Sequence, residues 1–188
     1  MATEPLERAI ASSKAVLNGV NAEHLDSPTP CESWTVRQVM NHLIGGQDFF
    51  TTAMTGGAPS IEEGADFGSG DFKLAFDEGS AASLAAFQAP GALEKIVTLP
   101  WGQMPGGAFM GLAATDTFVH GWDLAKATGQ STDLDPELAE ELLIGSKANI
   151  QDAFRGPDGS GAPFGPQQEA PAGATPADQL AAFLGRKV

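Results

Sequence analysis

The sequence predicts an all-α protein folded as a helical bundle. Apolar residues recur at spacings of three and four along several long segments, and prolines and glycines separate those segments. The first pattern is that of one face of an α-helix, and the second marks where helices end. Because 42% of the 188 residues are hydrophobic and 18% are charged, we expect residues 1–188 to form a single domain with a buried core.

A stiff connector separates the first two predicted helices. Apolar spacing predicts the first helix over residues 5–20. SPTP follows at residues 27–30, and its two prolines oppose helix continuation. The second helix is expected to begin near Thr35 and to run to Met54, because Thr35 and Gln38 have the spacing of a capping box.

Two further helices are predicted in the middle of the chain, with a short extended segment between them. The third helix is expected over residues 71–89 and the fourth over residues 106–128. Gly129 is suited to the left-handed position that ends many helices. Between the two helices, residues 95–107 (KIVTLPWGQMPGG) combine β-branched residues with proline and glycine, which favours a short extended segment or hairpin.

The C-terminal part predicts a helix, a strap and a short closing helix. Pro136 suits the first position of a helix, and apolar spacing extends this fifth helix to residue 154. Residues 155–174 are rich in proline and glycine and are expected to form an irregular strap. Thr175 has the character of a helix start, so the closing helix is expected directly after the strap.

The charge balance argues against two classes of partner. Asp and Glu number 24 against 10 Lys and Arg, which gives a formal net charge of −14. Nucleic-acid binding depends on cationic side chains that neutralise phosphates, so we expect no nucleic-acid partner. Anionic membrane surfaces are disfavoured for the same reason, and no apolar run reaches the roughly 20 residues of a membrane span.

The compartment is predicted from the N-terminus and the cysteine content. The first residues, MATEPLERAI, contain no basic segment followed by an apolar one, which argues against a secretory signal. Cys31 is the single cysteine, so an internal disulfide is excluded. A cytoplasmic protein is therefore expected.

Two histidines and one aspartate have the pattern of a divalent-metal site. Asp116 and His120 are four residues apart in the predicted fourth helix, so their side chains lie on one face. His42 could supply a third ligand, and imidazole with carboxylate suits zinc, nickel or iron(II). Gly45 and Gly46 beside it each cost about 1 kcal/mol of helix propensity, which indicates close approach of a helix or a ligand. An intrahelical ion pair and a core histidine are the alternative interpretations.

Other residues around these positions have several interpretations. Asp123 follows on the same face and could hold a ligand imidazole in one tautomer, anchor a substrate, or pair with a surface lysine. Trp34 and Trp122 could line an apolar pocket or pack in the core. Cys31 has Glu32 beside it, which argues against a role as a nucleophile.

Three segments together resemble one protein family. TPCESWTVRQVMNHLIGG (residues 29–46) resembles the opening of the mycothiol-dependent maleylpyruvate isomerase N-terminal domain family. LPWGQMPGGAFMGLAATDTFVHGWDLAKATGQ (residues 99–130) is similar to its second block, and PFGP followed by DQLAAFLGR resembles the ending of the same subgroup. The resemblance covers residues 5–185, and the family is actinobacterial and belongs to the DinB-like superfamily of metal-binding helical bundles.

The resemblance implies a DinB-like four-helix bundle that holds one divalent metal ion, with zinc the expected metal. The family's ligand pattern falls on His42, Asp116 and His120, although the acid in the isomerase is usually a glutamate. Relatives use a low-molecular-weight thiol, mycothiol or bacillithiol, as cosubstrate, and the metal is thought to stabilise its thiolate. The isomerase also has a C-terminal domain, whereas only a strap and a helix follow residue 155 here.

Two functions are therefore expected, in order. The first is a metal- and thiol-dependent transferase or isomerase acting on a small electrophile, either a monomer or a homodimer. Asp123, Trp34 and Arg37 would contribute to its pocket wall, and Arg37 would receive a carboxylate of the thiol or substrate. The alternative is a bundle that binds a metal or small molecule without catalysis. A nucleic-acid function, which the superfamily name suggests, conflicts with the net charge of −14.

Overall fold

The all-α fold is confirmed. The computed structural model describes residues 2–31, 33–60, 66–157 and 160–188. Within these residues the chain forms six α-helices and one antiparallel hairpin. The helices are α1 (Glu4–Gly19), α2 (Val36–Thr55), α3 (Phe72–Gln88), α4 (Gly106–Ala127), α5 (Pro136–Asn149) and α6 (Pro176–Phe183). The hairpin strands are β1 (Ile96–Leu99) and β2 (Gly102–Pro105).

The predicted helix ends are formed by the expected local contacts. At the start of α2, the backbone N–H of Thr35 donates to Gln38 Oε1 at 2.9 Å. At the start of α6, Thr175 Oγ1 accepts a hydrogen bond from the backbone N–H of Asp178 at 3.1 Å. Gly129 follows α4 with a φ of +69°, in the left-handed region. These contacts satisfy backbone groups that the helix itself leaves unpaired.

One predicted boundary is wrong. Helix α5 ends at Asn149, five residues before the expected end at residue 154, and the chain continues in extended conformation at Ile150. The Asn149 side-chain amide donates to the carbonyl of Gly145 at 2.8 Å, a side-chain-to-backbone hydrogen bond of the kind that competes with helix continuation. The strap follows as predicted, with residues 158–159 outside the described part.

Helix α4 is the central element of the bundle. Helix α1 packs along α4, α2 packs against both α3 and α4, and α5 and α6 pack together against the remaining side of α4. One part of the core lies around α4, the hairpin and the C-terminal helices, and its buried side chains include Phe109, Phe118, Trp122, Leu138 and Leu180. The other part lies between α1, α2 and α3, with Leu17, Met40, Leu43 and Phe76.

A buried polar layer fixes the relative positions of the first four helices next to Asp116. Gln47 Nε2 of α2 donates to Thr117 Oγ1 of α4 at 3.1 Å, and Ser83 Oγ of α3 donates to Gln47 Oε1 at 2.6 Å. Ser13 Oγ of α1 donates to the Thr117 carbonyl at 2.7 Å. Because these groups are buried and satisfied, the layer specifies one register of α2 against α4.

A glycine allows α1 to approach α4 closely beside His120. A Cβ atom added at Gly121 would lie 2.2 Å from Ser13 Oγ, which is less than any real contact of that kind. Gly121 is therefore required by the α1–α4 packing.

A search of the described residues finds no helix with the length and apolar character needed to cross a membrane.

Candidate metal centre

The structure brings the three predicted ligands together on α2 and α4. Asp116 Oδ1 lies 3.4 Å from His42 Nε2 and 3.5 Å from His120 Nε2. The potential ligand atoms of all three residues lie within 4.8 Å of one another. The polar layer around Thr117 explains this convergence, because it sets the register of α2 on α4 one residue away from Asp116.

The atom separations fit a shared ion. Zinc is bound by His nitrogen and carboxylate oxygen at about 2.0–2.1 Å in a tetrahedron, so neighbouring ligand atoms stand about 3.3–3.4 Å apart. The observed 3.4 and 3.5 Å agree with that separation and are longer than an ordinary charge-assisted hydrogen bond. The donor set of two imidazoles and one carboxylate also suits zinc, nickel or iron(II).

The same three groups stabilise one another electrostatically without an ion. Burial disfavours the charged form of His120, but the negative charge of Asp116 and hydrogen bonds to Asp116 and Asp123 outweigh burial and raise the His120 pKa to about 9. Burial would raise the pKa of Asp116, but the charges of His42 and His120 hold it well below its usual value. An ion bound here must therefore displace a proton from His120.

One side of the cluster is open and bordered by Trp34. The His42 and Asp116 side chains keep 20% and 27% of their surface exposed. The Trp34 ring centroid lies 4.9 Å from that of His42 and 5.8 Å from that of His120. Trp34 thus stands where a pocket wall was predicted, and its contact with a substrate stays a prediction.

Trp122 packs in the core. Its side chain is fully buried, and its indole N–H donates to Asp178 Oδ1 at 2.9 Å. This bond joins α4 to α6, so the packing interpretation is the one the structure supports.

Asp123 lies behind His120. It is 0% exposed, which excludes the surface-lysine interpretation, and its Oδ2 accepts a hydrogen bond from His120 Nδ1 at 3.0 Å. The Nε2 atom of His120 is thereby directed toward Asp116. This arrangement is typical of metal-ligating histidines, whose second ring nitrogen donates to a carboxylate. A role for Asp123 in holding a substrate stays a prediction.

Sequence reasoning missed Arg186, whose side chain lies in this cluster. Its Nη2 donates to Asp123 Oδ2 at 3.1 Å and its Nε donates to Asp123 Oδ1 at 3.3 Å. The two residues are 63 positions apart, so helical spacing gave no indication of the contact. The sequence did contain one indication, a basic residue directly after the apolar run of the closing helix.

Cys31 lies at the edge of the same network. Arg186 Nη2 is 3.3 Å from Cys31 Sγ, so the thiol has a cationic neighbour that its sequence context did not reveal. Glu32, on which the sequence interpretation relied, lies outside the described residues. Cys31, His120 and Asp123 form a second group with suitable spacing for an ion, but the Arg186 charge on Asp123 disfavours a cation there.

Arg37 is held by acidic side chains. Its Nη1 lies 2.9 Å from Asp66 Oδ1, and its Nε lies 3.8 Å from Asp26 Oδ1. A carboxylate arriving at Arg37 would compete with these two groups. The role of Arg37 in receiving a substrate carboxylate stays a prediction.

The paired glycines of α2 are not required by helix packing. A Cβ atom at Gly46 would lie 3.8 Å from Asp116 Oδ2, an ordinary contact, and one at Gly45 would meet no described atom within 4 Å. The expectation of a close helix approach is therefore wrong. The open space at Gly45, three residues from His42, is compatible with the alternative expectation of a ligand.

Fold and site together define the class of protein: a helical bundle with a candidate His/Asp metal centre between its second and fourth helices. The chain belongs to the mycothiol maleylpyruvate isomerase N-terminal domain family, whose pattern matches residues 6–125. The matched span contains His42, Asp116, His120 and Asp123, whereas Arg186 lies beyond it.

Relatives in sequence and in structure agree with this assignment. Uncharacterised proteins from two strains of Mycobacterium tuberculosis are each 42% identical over 184 residues, covering 97% of this chain and 96% of theirs. The crystal structure of the mycothiol-dependent maleylpyruvate isomerase is similar in fold, with a TM-score of 0.61 at 14% identity. That similarity covers 76% of this chain and 66% of the isomerase, so this chain spans about two thirds of the isomerase.

Proposed function

We propose that this protein binds one divalent metal ion and uses it with a small-molecule thiol, of the mycothiol type, to transfer or isomerise a small electrophile. The observation that carries the proposal is the convergence of His42, Asp116 and His120: Asp116 Oδ1 lies 3.4 and 3.5 Å from the two imidazole nitrogens, and all three potential ligand atoms lie within 4.8 Å of one another. Membership of the isomerase N-terminal domain family supports the thiol as cosubstrate. The expected place of action is the cytoplasm.

His42, Asp116 and His120 would hold the metal, most simply zinc. When bound, the metal supplies the positive charge that lowers the pKa of a coordinated thiol and favours its thiolate. Three protein ligands leave a coordination position open, as in catalytic rather than structural zinc sites.

The chain's own residues orient the reactants around that position. Asp123 holds His120 by its Nδ1–H, so that Nε2 faces the metal. Trp34 packs beside both imidazoles and would limit the access of water on that side. The exposed edges of His42 and Asp116 leave the approach for thiol and electrophile on the remaining side.

A second candidate function is metal or small-molecule binding without turnover. The observation that favours it is the extent of the structural similarity, which covers 66% of the isomerase of known structure. Groups that the longer protein contributes from its remaining third have no counterpart in that alignment.

A turnover assay separates the two functions. Protein loaded with zinc is incubated with mycothiol and a panel of small electrophiles, including maleylpyruvate, alongside His120→Ala and the control His24→Ala. His24 is a suitable control because its Nδ1 accepts from the Asn21 backbone in a separate turn. Thiol-dependent turnover by wild type and His24→Ala, lost in His120→Ala, supports the enzyme. Full metal loading with no turnover across the panel favours the binding function.

A further inference from the structure

We propose that Arg186, contributed by the C-terminal end of the chain, is a positioning residue for the metal centre and acts through Asp123 on His120. The inference rests on the proposed metal-binding function and extends it to a residue outside the span that defines the family. Its basis is a continuous chain of contacts from Arg186 to the ligand imidazole.

The chain of contacts has two links. Arg186 binds Asp123 at two points, Nη2 to Oδ2 at 3.1 Å and Nε to Oδ1 at 3.3 Å. Asp123 Oδ2 in turn accepts from His120 Nδ1 at 3.0 Å. Two-point binding of a carboxylate by a guanidinium fixes the carboxylate plane as well as its place. Arg186 therefore sets the direction in which Asp123 holds His120.

Arg186 also supplies the charge that a buried carboxylate needs. Asp123 is 0% exposed, and an isolated buried carboxylate is strongly disfavoured. When a metal takes the Nε2 side of His120, the imidazole is neutral and gives Asp123 only a hydrogen bond. The guanidinium of Arg186 then provides the compensating positive charge at 3.1 Å.

The fold places Arg186 by a specific turn at the end of α6. The backbone N–H of Gly185 donates to the Ala182 carbonyl and that of Arg186 donates to the Ala181 carbonyl, which is the Schellman pattern. Gly185 has a φ of +101°, and a Cβ atom there would lie 2.6 Å from Gly165 Cα in the strap. A glycine is therefore required on both grounds.

A second contact fixes α6 relative to α4, the helix that carries Asp116 and His120. Trp122, the residue before Asp123, donates from its indole N–H to Asp178 Oδ1 of α6 at 2.9 Å. The first turn of α6 is thus bound to α4 next to Asp123. The Schellman turn at the C-terminal end of α6 directs the Arg186 side chain back to Asp123. Helix α6 and the turn that follows it therefore bring Arg186 to the site from outside the first four helices.

The test measures metal affinity and metal geometry rather than activity. Apo protein is titrated with Co²⁺, and the visible absorption spectrum of the bound ion is recorded for wild type, Arg186→Gln and Arg186→Lys. Loss of an outer partner of a ligating histidine typically costs about 10- to 100-fold in affinity, so Arg186→Gln is expected to weaken Co²⁺ binding about tenfold and to change the spectrum. Arg186→Lys keeps the positive charge but has only one donor nitrogen. Its Co²⁺ affinity is expected to lie between those of wild type and Arg186→Gln.

Arg155 provides the matched control. Its side chain is 9% exposed against 10% for Arg186, and it also anchors the C-terminal segment, through the Phe183 carbonyl at 2.8 Å. Arg155→Gln is expected to lower thermal stability while keeping the wild-type Co²⁺ affinity and spectrum. Equal Co²⁺ losses in Arg155→Gln and Arg186→Gln would make Arg186 merely structural and overturn the inference.

Three further outcomes would overturn the inference or the proposed function. If Arg186→Gln fails to fold, Arg186→Lys carries the test, and wild-type affinity and spectrum in that variant would overturn the two-point role. If wild type binds Co²⁺ and Arg186→Gln has the same Co²⁺ affinity and spectrum, the inference is overturned but the proposed function is not. A wild-type protein that binds no Co²⁺ overturns the proposed function itself, and the inference with it.

Discussion

Asp116 Oδ1 of α4 lies 3.4 Å from His42 Nε2 of α2, across 74 residues of sequence. This contact joins the two helices at the point where His120 also approaches. The proposed function gives it two states. Without a metal, the carboxylate pairs with protonated imidazole, as the raised His120 pKa indicates. In the proposed metal-bound state, the same three groups would be its ligands, and the proton would leave. Metal and proton therefore compete for one site.

A first prediction concerns metal and stability. Because the proposed ligands lie on both α2 and α4, we expect metal to bind the folded chain preferentially and to raise its melting temperature. At a free concentration of 100 times Kd the gain in the free energy of unfolding is about 2.7 kcal/mol. Thermal melts with Zn²⁺ and after EDTA treatment measure this, with His42→Ala as the variant that should not respond. An identical melting curve after verified removal of the metal would count against a folded-state site.

A second prediction concerns the ligand Asp116. Asp116→Asn retains the shape but loses the charge and should weaken metal binding by about tenfold or more, equivalent to about 1.4 kcal/mol. Asp116→Glu keeps the ligand type that the family resemblance implies and should retain the metal. Zn²⁺ competition titrations against a chromophoric chelator give both values. Unchanged affinity in Asp116→Asn would show that the carboxylate is not a ligand.

A third prediction concerns pH in the metal-free protein. The His120 pKa is raised from about 6.5 for an unperturbed histidine to about 9 in the folded chain. The stability from its pair with Asp116 is thus fully present below about pH 6.5 and is lost as pH rises through about 9. At the acid end, the lowered Asp116 pKa makes stability fall as the pH drops below the usual aspartate range. Urea unfolding of apo protein, measured from below the usual aspartate range to above about pH 9, checks both signs.

The metal-bound protein should show the opposite trend on the alkaline side. Metal binding requires neutral His120, so affinity should increase with pH up to about 9. The increase in melting temperature produced by Zn²⁺ should accordingly be larger at the upper end of this range than near about pH 6.5. His24→Ala should follow the wild-type profile. A metal affinity independent of pH over this interval would mean that His120 does not coordinate.

A fourth prediction compares two glycines in helices. Gly121→Ala should destabilise the protein by about 1–3 kcal/mol, the usual cost of overpacking, because its Cβ would meet Ser13 Oγ at 2.2 Å. Gly45→Ala meets no described atom within 4 Å and should instead stabilise α2 by about 1 kcal/mol through helix propensity. Urea denaturation at fixed metal content measures both. Equal effects of the two substitutions would contradict the α1–α4 packing described.

Local patterns predicted the helices and the proximity of Asp116 to His120 well, because their determinants lie a few residues apart. The capping contact of Thr35 with Gln38 and the four-residue spacing of Asp116 and His120 are of this kind. His42 was placed by its position in an apolar helix and by family resemblance. Arg186 could not be placed, since its contact with Asp123 depends on how α6 docks on α4.

Sequence patterns missed both the end of α5 and the cationic neighbour of Cys31. Apolar spacing extends past Asn149, and it does not report the side-chain hydrogen bond from Asn149 to Gly145 that competes with helix continuation. The cationic neighbour of Cys31 comes from the opposite end of the chain. Periodicity reports which face is buried, but it contains no information on contacts made across the fold.

Metal content of tag-free protein tests the central claim most directly. Wild type and His24→Ala, purified side by side, are loaded with Zn²⁺, dialysed and analysed for metal and protein by elemental analysis, with His42→Ala and His120→Ala in the same series. We predict one zinc ion per chain in wild type and His24→Ala, none in the two ligand variants, and a helical circular-dichroism spectrum in all four. Full zinc content in His42→Ala would contradict the account, because it would remove α2 from the metal centre and return His42 to a histidine of the core.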